Sequence, residues 1–362
     1  MANVHLFKPT QLRSAVKEVM RGFGSEPGEI DLVSDNLVRA NLMGHDSHGV
    51  GMLPRYVDAY REGNLQPNAR IKTCIDHGTM IALDGQAGFG QAIGSEAMRL
   101  GISRAKEMGT CIMALGNTHH LGRIGEWAEM AVAEGLVSVH FVNVISRPIV
   151  APWGGTDARL GTNPFAIGIP RTGAAPIVLD LATSIIAQGK TRVAYNKGVG
   201  LAPGQMLDNE GRPTTNPVYG VVPPLGALLP FGEHKGFGLS LACEILGGAL
   251  AAGLAATGPA DGKRRILNGM LTVLIDPDKI ADPEIFAQQT EACLAWVTAS
   301  PPQAGVERVL IAGEPERQSL AQRNADGIPV DETTWEEILS AGEKLGVSAD
   351  AVRHHVRSSH PN

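Results

Sequence analysis

The stretch CIMALGNTHHLGRIGEWAEMA, residues 111–131, sets the fold class. CIMAL is an apolar run of strand length, and Ile124, Trp127, Ala128 and Ala131 recur at helical spacing, so the polar NTHHLG between them reads as a strand-to-helix junction. On its N-terminal side lie a strand at TMIALDG (79–85) and a helix over 93–106; on its C-terminal side lies a strand at VSVHFVNV (137–144). Alternating strands and helices predict an α/β body.

Further out, residues 145–226 are rich in Pro and Gly, with short apolar runs at FAIGIP (165–170) and IVLDLA (177–182) separated by turns. An apolar run over 237–256 predicts a buried helix, because Glu244 and several glycines make it a poor membrane span. A strand MLTVLID (270–276), a helix over 286–296 and a strand ending at Ile311 follow. Both ends read as helical. Leu12, Val16 and Val19 form one stripe, Ile30, Val33, Leu37 and Ala40 a second, Leu53, Tyr56, Val57 and Tyr60 a third, and Trp335, Ile338 and Leu339 a fourth. This texture predicts a discontinuous helical domain from both chain ends (1–75 and 317–362) around a central α/β domain (76–316).

Composition narrows the function classes. Lys and Arg number 31 against 37 Asp and Glu, a net charge of −6, so no basic face for nucleic acid is implied. The 43% hydrophobic content suffices for a large core. Four scattered cysteines match neither a zinc ribbon nor a disulfide framework, and the polar start MANVHLFKPTQ lacks a secretory signal's apolar segment; a cytoplasmic protein with no membrane partner is expected.

Several segments could carry chemistry. GFGQAIG (88–94) approaches the dinucleotide fingerprint, but its last Gly falls one position late, and ordinary turn chemistry explains it better. At NTHHLG, the backbone amides of Gly122, Arg123 and Ile124, with the Arg123 guanidinium nearby, offer an anion site at a helix start; a simple polar turn is the alternative. HDSHG (45–49) adds two more histidines. A loop histidine titrating near pH 6.5 suits acid/base work, and His48, between Ser47 and Gly49, is the best placed. A metal hydrolase built on His45, His48, His119 and His120 is the rival reading, although H-x-x-H is not the H-x-x-x-H spacing of helical zinc ligands, and no metal is expected. Asp180, in an apolar run, must be paired or reach solvent, which makes it a further candidate. LPFGEHKGFG (229–238) and IAGEPE (311–316) also place amides at helix starts.

Together, DSHGV (46–50), NTHHLGRIGEWAEMA (117–131), GTNPFAIGIP (161–170), DLATSIIAQGK (180–190), PFGEHKGFGLSLACEILGG (230–248) and GEPE (313–316) resemble the type 2 malate/L-lactate dehydrogenase family, nearest its hydroxycarboxylate dehydrogenase B branch. The resemblance implies a fold that is not a Rossmann fold: a mixed, largely antiparallel sheet for the cofactor beside the helical domain. It implies NAD, or NADP, and a homodimer reducing 2-oxo acids reversibly to 2-hydroxy acids, with a cyclic imino acid reductase as the alternative. By resemblance His48 and His120 are the acid/base groups, joined by Asp180. Cofactor contacts map to His48, Gly122, Arg123, Ile124, Val178, Leu179, Asp180, Leu181, Ala182, His234, Lys235, Asn268, Gly313, Glu314, Pro315 and Glu316. Many members carry an arginine three residues beyond the DSHG glycine where this chain has Met52, which would make that pocket wall apolar. Arg55, Arg147 or His119 is then left to hold the substrate carboxylate, beside Ser47.

Overall fold

The structure is a computed structural model that describes residues 4–257, 262–263 and 265–356. Seven strands form one sheet in the spatial order Lys72–Asp76, Met80–Asp84, Thr110–His119, Leu267–Ile275, Val137–Ile145, Phe165–Ile169, Ile177–Leu181. Met80–Asp84 and Thr110–His119 pair in parallel; the other five pairings are antiparallel. The sheet is thus mixed and mostly antiparallel. A parallel pair needs a crossover, and the helix Gly90–Met108 supplies it.

The glycines of GFGQAIG have internal reasons. A Cβ on Gly90 would overlap the carbonyl oxygens of His119 and His120, and one on Gly94 would stand 2.6 Å from the Trp127 ring. They let the crossover helix press its start onto NTHHLG. Beneath the sheet, Ile93, Ala97 and Met98 of that helix pack with Leu83, Leu115, Val142 and Met270 and with Trp127 and Ala128 of the helix Gly125–Ala133.

A second core joins both ends of the chain. Leu12, Val16 and Val19 of Pro9–Arg21, Val33 and Leu37 of Pro27–Leu42, and Leu53, Tyr56 and Val57 of Leu53–Arg61 pack against Trp335, Ile338 and Leu339 of Glu332–Glu343 and Val352 of Ala349–His354. Each fully buried aliphatic side chain contributes about 1.5–3 kcal/mol. Val4–Phe7, expected as helix, is instead a strand paired antiparallel with Ile328–Asp331, so the ends are joined by backbone as well.

Other expectations are corrected. The helix after Lys235 is not fully buried: His234–Cys243 continues as a π-helix, Glu244–Leu250, whose Leu241, Ile245 and Leu250 side face is exposed. Gly247 explains the one-sided contact, since a Cβ there would stand 2.9 Å from Asn143 N, so this face alone lies on the sheet. Glu244 is buried but satisfied, accepting from Asn163 Nδ2 (2.8 Å) and Ala256 N (2.7 Å). No strand ends at Ile311; the Ile311 N–H donates to Glu314 Oε2 at 2.9 Å, which ties the segment to the helix Glu314–Asp326 rather than to a sheet. The middle region holds an unexpected helix, Gln188–Lys197, and the exposed strand Lys72–Asp76 gave no apolar alternation to read. Among the described residues, no helix is long and apolar enough to cross a membrane.

Candidate active site

Two histidines from distant loops meet. His48, in the short 3-10 turn Asp46–His48, faces His120, just past the strand Thr110–His119; Nδ1 of His48 lies 3.2 Å from Nε2 of His120, and the rings stack at 5.3 Å. Tyr56 continues the line, its hydroxyl 2.8 Å from His120 Nδ1, and Gln91 Nε2 donates to that hydroxyl at 2.7 Å. Tyr56 read only as a core position, and Gln91 not at all, because their polar roles arise from helix packing.

The loop carrying His48 is held from behind. Asn41 Oδ1 accepts from Val50 N (2.8 Å) and Asn41 Nδ2 donates to Asp46 Oδ1 (2.6 Å). A Cβ on Gly49 would overlap the Asn41 amide, so only glycine lets the loop pass so close. Burial, the nearby His45 and then Arg123 lower the pKa of His48 to about 4; burial and then His48 hold that of His120 well below the ordinary histidine value. Both rings are therefore uncharged near neutral pH.

The histidine loop also meets distant backbone segments. His45 reaches Glu316 at 3.3 Å, tying the histidine loop to the start of Glu314–Asp326. Val178 N donates to Ala312 O at 3.3 Å, and Arg317 Nη1 to Pro176 O at 3.1 Å, which sets Gly313 against the edge strand Ile177–Leu181. Gly313 has φ 92°, and a Cβ there would stand 3.3 Å from Val178 N. Gly125 N and Arg123 meet Asp180 and Gly313 lies beside Val178, so the segments around Gly122 to Ile124, Val178 to Ala182 and Gly313 to Glu316 adjoin one another.

Other expected site residues are placed differently. Arg123 is not free for an anion: its side chain is 1% exposed, bonded to Glu129 (2.6 Å) and Glu126 (3.3 Å), with Asp180 at 3.8 Å. Asp180 accepts from Gly125 N at 2.8 Å, where the helix begins three residues later than expected; burial raises its pKa and Arg123 opposes this. It serves the helix terminus and Arg123, not the histidine pair. Asn268 is spent on backbone, with Oδ1 accepting from Leu121 N (2.8 Å) and Nδ2 donating to Asn143 O (2.8 Å). Met52 packs in the helical core. His234 is exposed against Trp153, and Lys235 is exposed beside it. His119 is 1% exposed with neither ring nitrogen hydrogen-bonded, its ring standing edge-on to Tyr56. The four histidines do not converge: His45 pairs with Glu316, His48 with His120, and no group of three or more metal-binding side chains gathers among the described residues.

Arg55 and Arg147 remain. Both residues are exposed overall but partly shielded at their charged ends, neither forms an ion pair among the described residues, and Arg55 acts electrostatically on His120, Tyr56 and Arg147. Burial and the charge of Arg192 lower the Arg55 pKa; burial and Arg55 lower that of Arg147. Two unpaired, mutually repelling cations beside an uncharged histidine pair suit an anionic ligand. Ser47 is exposed on the same turn as His48 and faces Gly189, where a Cβ would stand 3.3 Å from its own.

Comparison with known proteins identifies the family. The profile of the malate/L-lactate dehydrogenase family matches residues 7–339. The chain is 45% identical to hydroxycarboxylate dehydrogenase B of Escherichia coli (strain K12), covering 98% of both chains. Among solved structures, it is similar to sulfolactate dehydrogenase from Methanocaldococcus jannaschii (TM-score 0.84, 32% identity, 96% of this chain and 99% of that one). It is also similar to delta1-piperideine-2-carboxylate reductase from Pseudomonas syringae pvar. tomato (TM-score 0.80, 30% identity, 93% and 99%). With its profile spanning nearly the whole chain, the protein belongs to the malate/L-lactate dehydrogenase family, oxidoreductases acting on the CH–OH group of 2-hydroxy acids.

Proposed function

We propose that the protein interconverts 2-oxo and 2-hydroxy acids with a nicotinamide cofactor, NAD or NADP, and that His48 is its acid/base group. The observation that carries this reading is the His48–His120 contact at 3.2 Å, with the unpaired Arg55 acting on His120. A dinucleotide site is supported at Gly313, which at φ 92° opens the helix Glu314–Asp326 beside Val178 and favours close backbone approach there. Gly122, Arg123 and Ile124, Val178 to Ala182 and Gly313 to Glu316 would line it through their backbone. When bound, the nicotinamide ring supplies or accepts the hydride at substrate C2.

The chain's own residues do the rest. Arg55, with Arg147 behind it, holds the substrate carboxylate, which places C2 and its oxygen before the imidazole. In the oxidative direction Nε2 of His48 takes the hydroxyl proton; in reduction the imidazolium returns it to the developing alkoxide. His120, bonded to Nδ1, holds the ring plane fixed.

The likeness to a piperideine carboxylate reductase supports a second reading, reduction of a cyclic imine in the same pocket. Oxidation of NADH and NADPH against 2-oxoglutarate, phenylpyruvate and a cyclic imino acid separates the two readings and gives cofactor preference. His48→Ala should lose about 10²–10⁴-fold in kcat while still binding cofactor; unchanged turnover removes His48 from the mechanism. We also infer a homodimer, supported by the exposed Leu241, Ile245 and Leu250 face and checked by light scattering.

A further inference from the structure

Hydrogen-bond direction along the line from Gln91 to His48 is fixed by which atoms hold protons. Gln91 Nε2 can only donate, so the Tyr56 oxygen accepts from it at 2.7 Å, and the one Tyr56 proton must go to its other partner, His120 Nδ1, at 2.8 Å. An uncharged His120 that accepts at Nδ1 carries its proton on Nε2 and donates it to His48 Nδ1 at 3.2 Å. An uncharged His48 that accepts at Nδ1 then carries its proton on Nε2. In this polarity His48 offers the substrate a donor and holds no lone pair with which to take a hydroxyl proton.

The opposite polarity needs one change. If Gln91 turns its amide, Oε1 accepts the Tyr56 proton, His120 Nδ1–H donates to the Tyr56 oxygen, and His48 Nδ1–H donates to His120 Nε2. Each residue keeps one proton, and His48 Nε2 becomes a base. Two observations favour such a turn: Gln91 Oε1 is buried with no hydrogen-bond partner, and the buried Asn36 Oδ1, also an acceptor without a partner, belongs to the lining of the same cavity as Gln91.

We propose that Gln91 is a positioning residue whose side-chain amide, by the atom it turns toward Tyr56, selects whether His48 meets the substrate as donor or as base. This rests on the reading of His48 as the acid/base group. The selection acts through Tyr56 and His120, and Gln91 touches neither substrate nor cofactor.

The test is ¹⁵N NMR of the histidine ring nitrogens at pH 7.5 in the cofactor-free protein, for wild type, Gln91→Met and Tyr56→Phe, with turnover measured alongside. Wild-type His48 should be protonated on Nε2. Both variants should mix the His48 tautomers and lower kcat about tenfold at unchanged cofactor Kd. Wild-type His48 protonated on Nδ1, or identical tautomers and kcat in all three proteins, would overturn the proposal. The wild-type measurement stands even if a variant fails to fold. Failure of the underlying reading is seen separately, as full turnover by His48→Ala whatever the tautomers.

Discussion

Arg323 clasps Asp46 with both guanidinium nitrogens, at 2.6 and 3.0 Å, so the turn that carries His48 is strapped to the helix Glu314–Asp326 from the other end of the chain. Asp46 is half exposed, so the pair adds little to global stability, about 1 kcal/mol or less. Its value is positional. Arg323→Ala should leave the thermal midpoint within a few degrees yet reduce kcat several-fold, because a loosened imidazole spends less time aligned. Thermal melts and steady-state kinetics on one preparation check this, and an unchanged kcat would show that Asn41 alone holds the turn.

The carboxylate anchor is assigned to Arg55. Its substitution removes a charge-assisted hydrogen bond of about 1.5–3 kcal/mol, so Arg55→Met should lower kcat/KM for a 2-oxo acid roughly 10–150-fold. Arg147→Met should cost only a few-fold. The two variants should discriminate far less against the matching 2-oxo amide, which lacks the charge. Equal losses on acid and amide would place the carboxylate elsewhere.

Asn268 separates a structural role from a cofactor role. Its amide joins the Leu121 N–H to the Asn143 carbonyl inside the sheet, so Asn268→Leu strands two buried backbone groups, at about 1–3 kcal/mol each. The expected outcome is a lower denaturant midpoint with an unchanged cofactor Kd in the folded fraction, read by urea titration and by nucleotide fluorescence. A weakened Kd at wild-type stability would return Asn268 to the cofactor site.

Acid should unfold the protein earlier than its carboxylates alone require. Burial lowers His119 to about 4 and His140 to about 3, and burial with nearby charge lowers His48 to about 4. Between these values and the ordinary 6.5, the unfolded chain binds protons that the folded one refuses, so this stability is full above about pH 6.5 and drains away as pH falls toward 4. The His119 ring makes no hydrogen bond, so His119→Phe should flatten the fall while leaving stability at pH 8 equal or higher. Melting curves from pH 8 to 4.5 measure the slope, and parallel slopes would exclude His119 as a contributor.

Much of this was legible in the chain. The strand-to-helix junction at NTHHLG and the stripes at Leu12 and Trp335 follow from local pattern, because burial forces period upon sequence, whereas the meeting of the two histidine loops was implied only by the family resemblance. What stayed hidden depends on the third dimension. Tyr56 satisfies the apolar stripe of its helix and shows its hydroxyl function only when His120 and Gln91 arrive from elsewhere. Arg123 has the composition of an anion site, yet three carboxylates, Glu126 and Glu129 of the helix that follows it and Asp180, reach it first. The apolar run after Lys235 could not reveal which face would be covered, since that depended on where Gly247 met the backbone of Val137–Ile145.

The core shared by Leu12, Tyr56, Trp335 and Val352 also has a cost in time. A ribosome extends its product by about 5–20 residues each second, so the earliest helices emerge on the order of tens of seconds before their partners are synthesised. During that interval their oily stripes have nothing of their own to close upon. The nascent chain is most in need of a chaperone while the part that will carry the imidazole is already made.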